Sequence, residues 1–256
     1  MKRYTLALAA IAVLAGSQRL YAAITLTGTV RDFQMWSAGG SNPDFENVVA
    51  DDRGIVMSDL GSDGKPVYAH PGGSTPTTHG QAYFDQWYNN TPGVNINIPS
   101  SITLADVGSG IYRYDSNSFF PIDNLGWGNQ GQPHNYSFTY ELHTQFTYQP
   151  GQNFSFTGDD DVWVFINNTL AIDLGGVHSA ESASVNLDTL GLTSGNAYDL
   201  DLFFAERHTV ASDFAFDTSI VLQQPATVPE PATIIIWSLL GALGMTIGWW
   251  RRRKAA

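Results

Sequence analysis

The stretch Gly158-Asp159-Asp160-Asp161-Val162-Trp163-Val164-Phe165-Ile166-Asn167 sets three carboxylates side by side and follows them at once with an apolar run. Like charges this close repel, by roughly 4 kcal/mol for one pair at ~4 Å and an effective dielectric of ~20. The chain can protonate an acid, splay all three into water, or bind a cation. Oxygen-only donors suit calcium, with Asn amides and backbone carbonyls completing the shell. In a regular strand Asp160 points away from Asp159 and Asp161. Two adjacent carboxylates that grip one ion therefore need an irregular backbone, and a cis peptide would supply it. The plainer alternative is a solvated acidic turn ahead of a core strand.

Other candidates lie further along. Glu206-Arg207-His208 follows a clean strand and opens the last loop, which runs on to Asp213. In a sandwich the loops of one end cluster, so this loop is expected to face the acids. Arg207 either binds a ligand or pairs with a nearby Asp and fastens the loop. His178 follows Gly175-Gly176, where the backbone can approach closely, and reads as a metal ligand, a sugar contact or a satisfied loop histidine. The loops Asp173 to His178 and Glu206 to Asp213 would form the walls of a site. His134 and His143 straddle a strand start, in environments too different for one zinc site. Trp36, Trp87 and Trp127 could stack on sugar rings, but core packing is the simpler expectation for each.

These residues need a frame to hold them. Val162 to Ile166 have the bulk and branching of a buried strand, rigid enough to hold the acids at its mouth. From Ser137 onward Phe138, Tyr140, Leu142, Phe146 and Tyr148 alternate with polar residues, the mark of a half-buried strand. Tyr198, Leu200, Leu202 and Phe204 alternate with Asp199 and Asp201, and Phe214 to Leu222 makes a closing strand. Ile24 to Asp32 reads as an edge strand. Residues 37–80 are loop chemistry, rich in Gly, Ser, Pro and Asp, and are expected to be ordered only by packing on something else. Phe84, Trp87 and Tyr88 share one face of a short predicted helix. Many short strands separated by turns predict an all-β fold, a sandwich or barrel, with a loop-rich N-terminal elaboration.

The 256 residues contain no cysteine, which excludes disulfides and thiolate chemistry. Residues 1–23 read as a signal peptide, with Lys2 and Arg3 ahead of an apolar run and a cut after Ala22 or Ala23. Residues 24–224 form the β domain. Residues 225–256 hold Pro229-Glu230-Pro231, a transmembrane helix at about 233–250 and a basic tail at 251–254. Together with Arg251, Arg252 and Arg253 this segment resembles the PEP-CTERM sorting signal. That resemblance implies a Gram-negative host, transient anchoring in the inner membrane, cleavage by an exosortase, and release to the cell surface or matrix. Between residues 24 and 227 five Lys and Arg face 23 Asp and Glu, a net charge of −18. Such a surface repels phosphate backbones and argues against nucleic-acid binding.

Several ordered blocks resemble the fibro-slime domain: Asp63 to Tyr68, Phe119 to Asp123, His134 to Thr144, Gly158 to Asn167, Asp173 to His178, and Phe203 to His208. They run through residues 28–222 and imply a secreted protein associated with adhesion and extracellular slime. The second half is also similar to the protective-antigen/flocculin lectin domain. There an adjacent Asp pair opens a strand that ends in an Asn-Gly turn. Aligning that turn with Asn167-Asn168 places the pair on Asp159-Asp160. The resemblance implies an antiparallel, jelly-roll-like β-sandwich of lectin type, a cis peptide, calcium, and sugar hydroxyls reached through the metal. A third acid and Asn168 in place of Gly depart from the pattern, so those members' sugar specificity does not transfer.

The leading expectation is a calcium-dependent, carbohydrate-binding adhesin or matrix module without enzymatic activity, partnered by a polysaccharide. The alternative is a structural matrix protein whose calcium only steadies the fold. A glycoside hydrolase fits less well. It needs two carboxyls across a groove, and Glu141 and Glu206 have no visible partner.

Overall fold

A computed structural model describes residues 23–45 and 49–223. The expected signal segment, apart from its last residue, and the sorting segment with its transmembrane helix lie outside the described residues. In chain order the elements are β1 (Ile24–Phe33), β2 (Ala50–Asp51), the single helical turn α1 (Gln81–Phe84), β3 (Asn95–Gly108), β4 (Ile111–Ser116), β5 (Phe138–Thr147), β6 (Asn153–Gly158), β7 (Asp161–Ile166), β8 (Thr169–Leu174), β9 (Gly176–Val177), β10 (Glu181–Asn186), β11 (Ala197–Glu206) and β12 (Phe214–Thr218).

Ten strands form one continuous antiparallel sheet in the order β10-β6-β12-β4-β3-β1-β5-β11-β7-β8, and β2 pairs separately with β9. The sheet folds over along β3. Ile24 to Phe33 of β1 pair with the first part of β3, from Leu104 back to Asn95, while its end, from Ala105 to Gly108 with a register shift between Asp106 and Gly108, pairs with β4. Two layers then face each other. Leu142, Leu202 and Phe204 of one meet Phe154, Phe156, Phe214 and Phe216 of the other in the main core. Phe204 and Phe214 cross edge to face at 5.2 Å, and Phe119 stacks on Phe214 at 4.4 Å. The all-β sandwich is as expected. β1 is not an edge strand, because it pairs with β3 on one side and β5 on the other. Gly28 permits that placement. A Cβ there would lie 2.5 Å from the Glu141 carbonyl oxygen and 2.6 Å from the Tyr140 ring.

The same layer has a second core on its outer face, where Trp163, Phe165 and Phe203 meet Phe33, Phe45, Tyr68, Phe84 and Trp87. All six residues of β7 are buried, which accounts for an apolar run without alternation. The covering layer is the loop-rich excursion between β1 and β3. It has little regular structure and is ordered by what it packs on, as its composition implied. Phe84, Trp87 and Tyr88 all enter this second core, although the helix stops after one turn.

Polar anchors tie the excursion down. The buried Arg31 donates to Glu141 Oε2 at 2.5 Å and to Asn90 Oδ1 at 2.9 Å. Lys65 Nζ closes on the other oxygen of Glu141. His143 sits between Glu141 and Asp201, at 2.5 and 2.6 Å. Glu141 thus has two cationic partners and a histidine, and belongs to a structural cluster. Asp52 Oδ2 accepts hydrogen bonds from the Thr75 hydroxyl and from both the N–H and hydroxyl of Thr77.

Candidate functional site

The acid triplet stands where β6 hands over to β7. The peptide bond between Asp159 and Asp160 is cis, the irregularity the sequence argument called for. All three acids are buried, at 5%, 4% and 0% relative exposure, so the solvated-turn alternative fails. Asp161 takes a different role from its neighbours. Its Oδ2 accepts from Arg207 Nε at 2.6 Å and its Oδ1 from Gly176 N at 2.7 Å. Expected among the metal ligands, Asp161 is instead the counter-ion of a wholly buried arginine.

Arg207 is the hub of this end of the molecule. Its main-chain N–H donates to Asp160 Oδ2 at 2.9 Å. Its guanidinium donates to the carbonyls of Thr77 and Asp44 at 2.7 and 3.1 Å and lies 4.5 Å from the centre of the Trp87 ring. One side chain therefore joins the triplet, the last loop and the excursion. The Arg207 side chain is wholly buried and paired with Asp161, which is the pairing alternative. Asp44 also binds His79 and the Trp87 indole.

Asp159 and Asp160 line an open cleft of about 470 Å³. An N–H engages one oxygen of each, Arg207 N for Asp160 and Asp213 N for Asp159. Burial pushes the Asp159 carboxyl up to about 6. Burial, with Asp161 and Asp159 adding and Arg207 opposing, pushes Asp160 up to about 8. Glu206 stands behind them. Its carboxyl is raised well above the usual range by burial first and then by Asp160 and Asp159, and its buried Oε2 has no hydrogen-bond partner. Buried acids that crowd one another, with an orphaned oxygen among them, form a hard, oxygen-only donor set that suits calcium. Among the described residues no three carboxylate or imidazole groups converge as a ready-made cluster. A cation here would take Asp159 and Asp160 and complete its shell with main-chain, water or ligand oxygens.

Of the other expected residues, His178, His208 and Asp213 line the cleft. His178 is also satisfied within its loop, by the Ser179 and Leu174 carbonyls at 2.9 and 3.2 Å. Asp173 does not line the cleft. It accepts from the Trp163 indole at 3.0 Å, from Gly175 N at 3.0 Å and from Gly54 N at 2.8 Å, and fastens the end of β8. His134 pairs with Asp123 at 2.6 Å and stacks on Phe120, apart from the His143 cluster. Trp87 is core, while Trp36 is 53% exposed and departs from the packing expectation.

Sequence reasoning missed the apolar walls. Val49 and Val210, 61% and 74% exposed, stand at the cleft with Val177, Ala180 and Ala211. Val49 comes from the excursion and is carried in by the pairing of β2 with β9, Ala50 opposite Val177 and Asp51 opposite Gly176. Arg53 buttresses this wall through Asp51, Glu181 and the Asp173 carbonyl. Isolated exposed valines carry no functional signal in a sequence.

Comparison with known proteins adds likenesses to this geometry. Residues 121–230 match the PA14 domain family model. Two Dictyostelium discoideum proteins are similar: psiR, 45% identical over 201 residues, covering 72% of this chain and 20% of that protein, and psiD, 46% identical over 183 residues, covering 66% and 36%. The chain thus spans a minor part of these curated relatives. Among solved structures, the PA14 sugar-binding domain from an RTX adhesin aligns over 76% of this chain and 90% of its own at 10% identity and TM-score 0.34. The epithelial adhesin 6 A domain from Candida glabrata, in complex with Galβ1-3GlcNAc, aligns over 80% and 81% at 17% identity and TM-score 0.29. The relatives overturn one expectation. They are eukaryotic proteins, and the Gram-negative, inner-membrane setting is withdrawn.

Proposed function

We propose that this chain is a non-enzymatic, sugar-binding adhesin module of an extracellular surface or matrix, and that it binds polysaccharide through calcium held at Asp159 and Asp160. The observation that carries this reading is the pair of buried, joined carboxylates at the floor of an open cleft, backed by the unpartnered oxygen of Glu206. Calcium, when bound, would supply open coordination positions suited to the vicinal hydroxyls of a sugar. The protein's part is rigid presentation. β7 is buried on both faces, Arg207 clamps the loop to the triplet, and Asp213 N steadies Asp159. The PA14 match over residues 121–230 agrees with this placement, since it contains the triplet and the loop from Glu206 to Asp213. Glycoside hydrolysis fits poorly, because the acids gather on one floor rather than flanking a bond.

A ligand that binds only the folded state stabilises it by RT ln(1 + [L]/Kd), about 2.7 kcal/mol at one hundred times Kd. Calcium should therefore raise the melting temperature of the wild type and leave Asp159→Asn/Asp160→Asn unmoved. An identical calcium response in both proteins would remove the site from consideration.

A further inference from the structure

The walls of the cleft have a chemistry of their own. Five of the eleven residues that line it are aliphatic: Val49, Val177, Ala180, Val210 and Ala211. None is phenylalanine, tyrosine, tryptophan, lysine or arginine, and its only rings are the imidazoles of His178 and His208. The guanidinium of Arg207 is wholly buried and turned to Asp161, Thr77 and Asp44, so no cation of the site meets the ligand. Val210 is the most exposed of the exposed large hydrophobic residues and Val49 is among them. They arise from different parts of the chain, one from the last loop and one from the excursion, and meet at one opening.

A plain hexose would leave these valines poorly matched. Its ring presents hydroxyls on nearly every side, and the cleft offers its C–H patch no phenyl or indole face, only the smaller and more polar imidazoles of His178 and His208. A sugar carrying a methyl group, as a 6-deoxyhexose or an N-acetyl sugar does, offers both halves of the match: a diol for the acid floor and a methyl for the aliphatic wall. Acidic sugars are disfavoured, because the domain as a whole carries −18.

Resting on the function proposed above, we infer that the cleft selects neutral, methyl-bearing sugars, and that Val49 and Val210 set this specificity. The PA14 match covers residues 121–230, so Val49 lies outside it. The excursion, which the match leaves out, builds half of the specificity wall. Gly176 is what lets that wall sit where it does. Its φ is +118°, and a Cβ there would lie 2.4 Å from the Ala50 carbonyl oxygen.

The test uses the calcium-loaded full chain and matched sugar pairs titrated by NMR. L-fucose against L-galactose and L-rhamnose against L-mannose differ by one hydroxyl at the methyl position, and N-acetylglucosamine against glucose forms the acetyl arm. The 6-deoxy arm, the acetyl arm or both should show about a fourfold preference for the methyl-bearing member, the value of burying one methyl group. Val49→Ser/Val210→Ser should erase that preference, with the calcium-induced rise in melting temperature reporting that the variant is folded. Equal affinity within every pair, while binding remains calcium-dependent, overturns this inference and leaves the proposed function standing. A preference that survives in the double variant also overturns it. Binding of no sugar at all overturns both.

Discussion

Arg207 and Asp161 form an ion pair with no access to water, each at 0% side-chain exposure. Removing one partner of such a pair leaves an uncompensated buried charge, at a cost of about 3–5 kcal/mol. Arg207→Met or Asp161→Asn should lower stability by that amount in denaturant titration, and a loss under about 1 kcal/mol would contradict the assigned role. The acids on the floor make a second demand. Asp159 and Asp160 are raised to about 6 and about 8, above the ~4 of an unfolded aspartate. Without metal the folded chain binds their protons more tightly than the unfolded chain does. The contribution of these two acids to metal-free stability should therefore be complete below about pH 4 and be lost as pH rises through 6 and 8. Calcium competes with those protons. Its stabilising shift, read by thermal melting, should be larger at pH 8 than at pH 5.5, and equal shifts at the two pH values would count against the site.

At the scale of elements, the small pairing of β2 with β9 decides whether the cleft has two walls. Gly176→Ala puts a side chain at φ +118° and into the Ala50 carbonyl. We expect a loss of at least ~1–3 kcal/mol in stability and weakened sugar binding with calcium binding retained. Unchanged sugar affinity in a folded variant would show that the wall is not used. The elements also explain what the chain revealed beforehand. β5 and β11 alternate at the ends where only one face of each is covered, so period two was readable there, whereas Phe203 to Glu206 of β11 are buried on both faces. β7 was readable as buried because both of its faces are covered. β3 and β4 were not anticipated. β3 keeps Ile96, Ile98, Ile102 and Leu104 in one phase, but Pro99-Ser100-Ser101 interrupts the run with loop-forming residues and hides the alternation. β1 was placed at an edge because its interior position depends on Gly28 lying flat against Tyr140, a contact made 112 residues away in sequence. The acid pair and the last loop were legible, since three carboxylates before a buried strand have few resting places. Val49 was not, because nothing local connects it to residues 159–160.

The whole molecule is a β-sandwich wearing a folded excursion, held by buried charge as much as by apolar contact. Glu141 binds both Arg31 and Lys65 and joins the excursion to β5. Glu141→Gln should leave two cations without their anion and loosen the excursion ahead of the sandwich. Limited proteolysis would then cut within residues 37–80 of the variant well before the wild type, with residues 95–223 persisting as a core. Simultaneous loss of both regions would mean that they unfold as one. A shallow, water-exposed site of this kind suits weak single contacts, with Kd in the ~0.1–10 mM range, multiplied by many copies on one surface.

The central claim is that sugar is held through a cation at Asp159 and Asp160, and a glycan array of the multivalently displayed full chain reads it most directly. In calcium the array should show binding to a subset of neutral glycans. Chelator should abolish that binding, and so should Asp160→Asn in calcium. Binding that persists undiminished in chelator, or in the variant, would show that the acids serve the fold alone and that the sugar is held elsewhere.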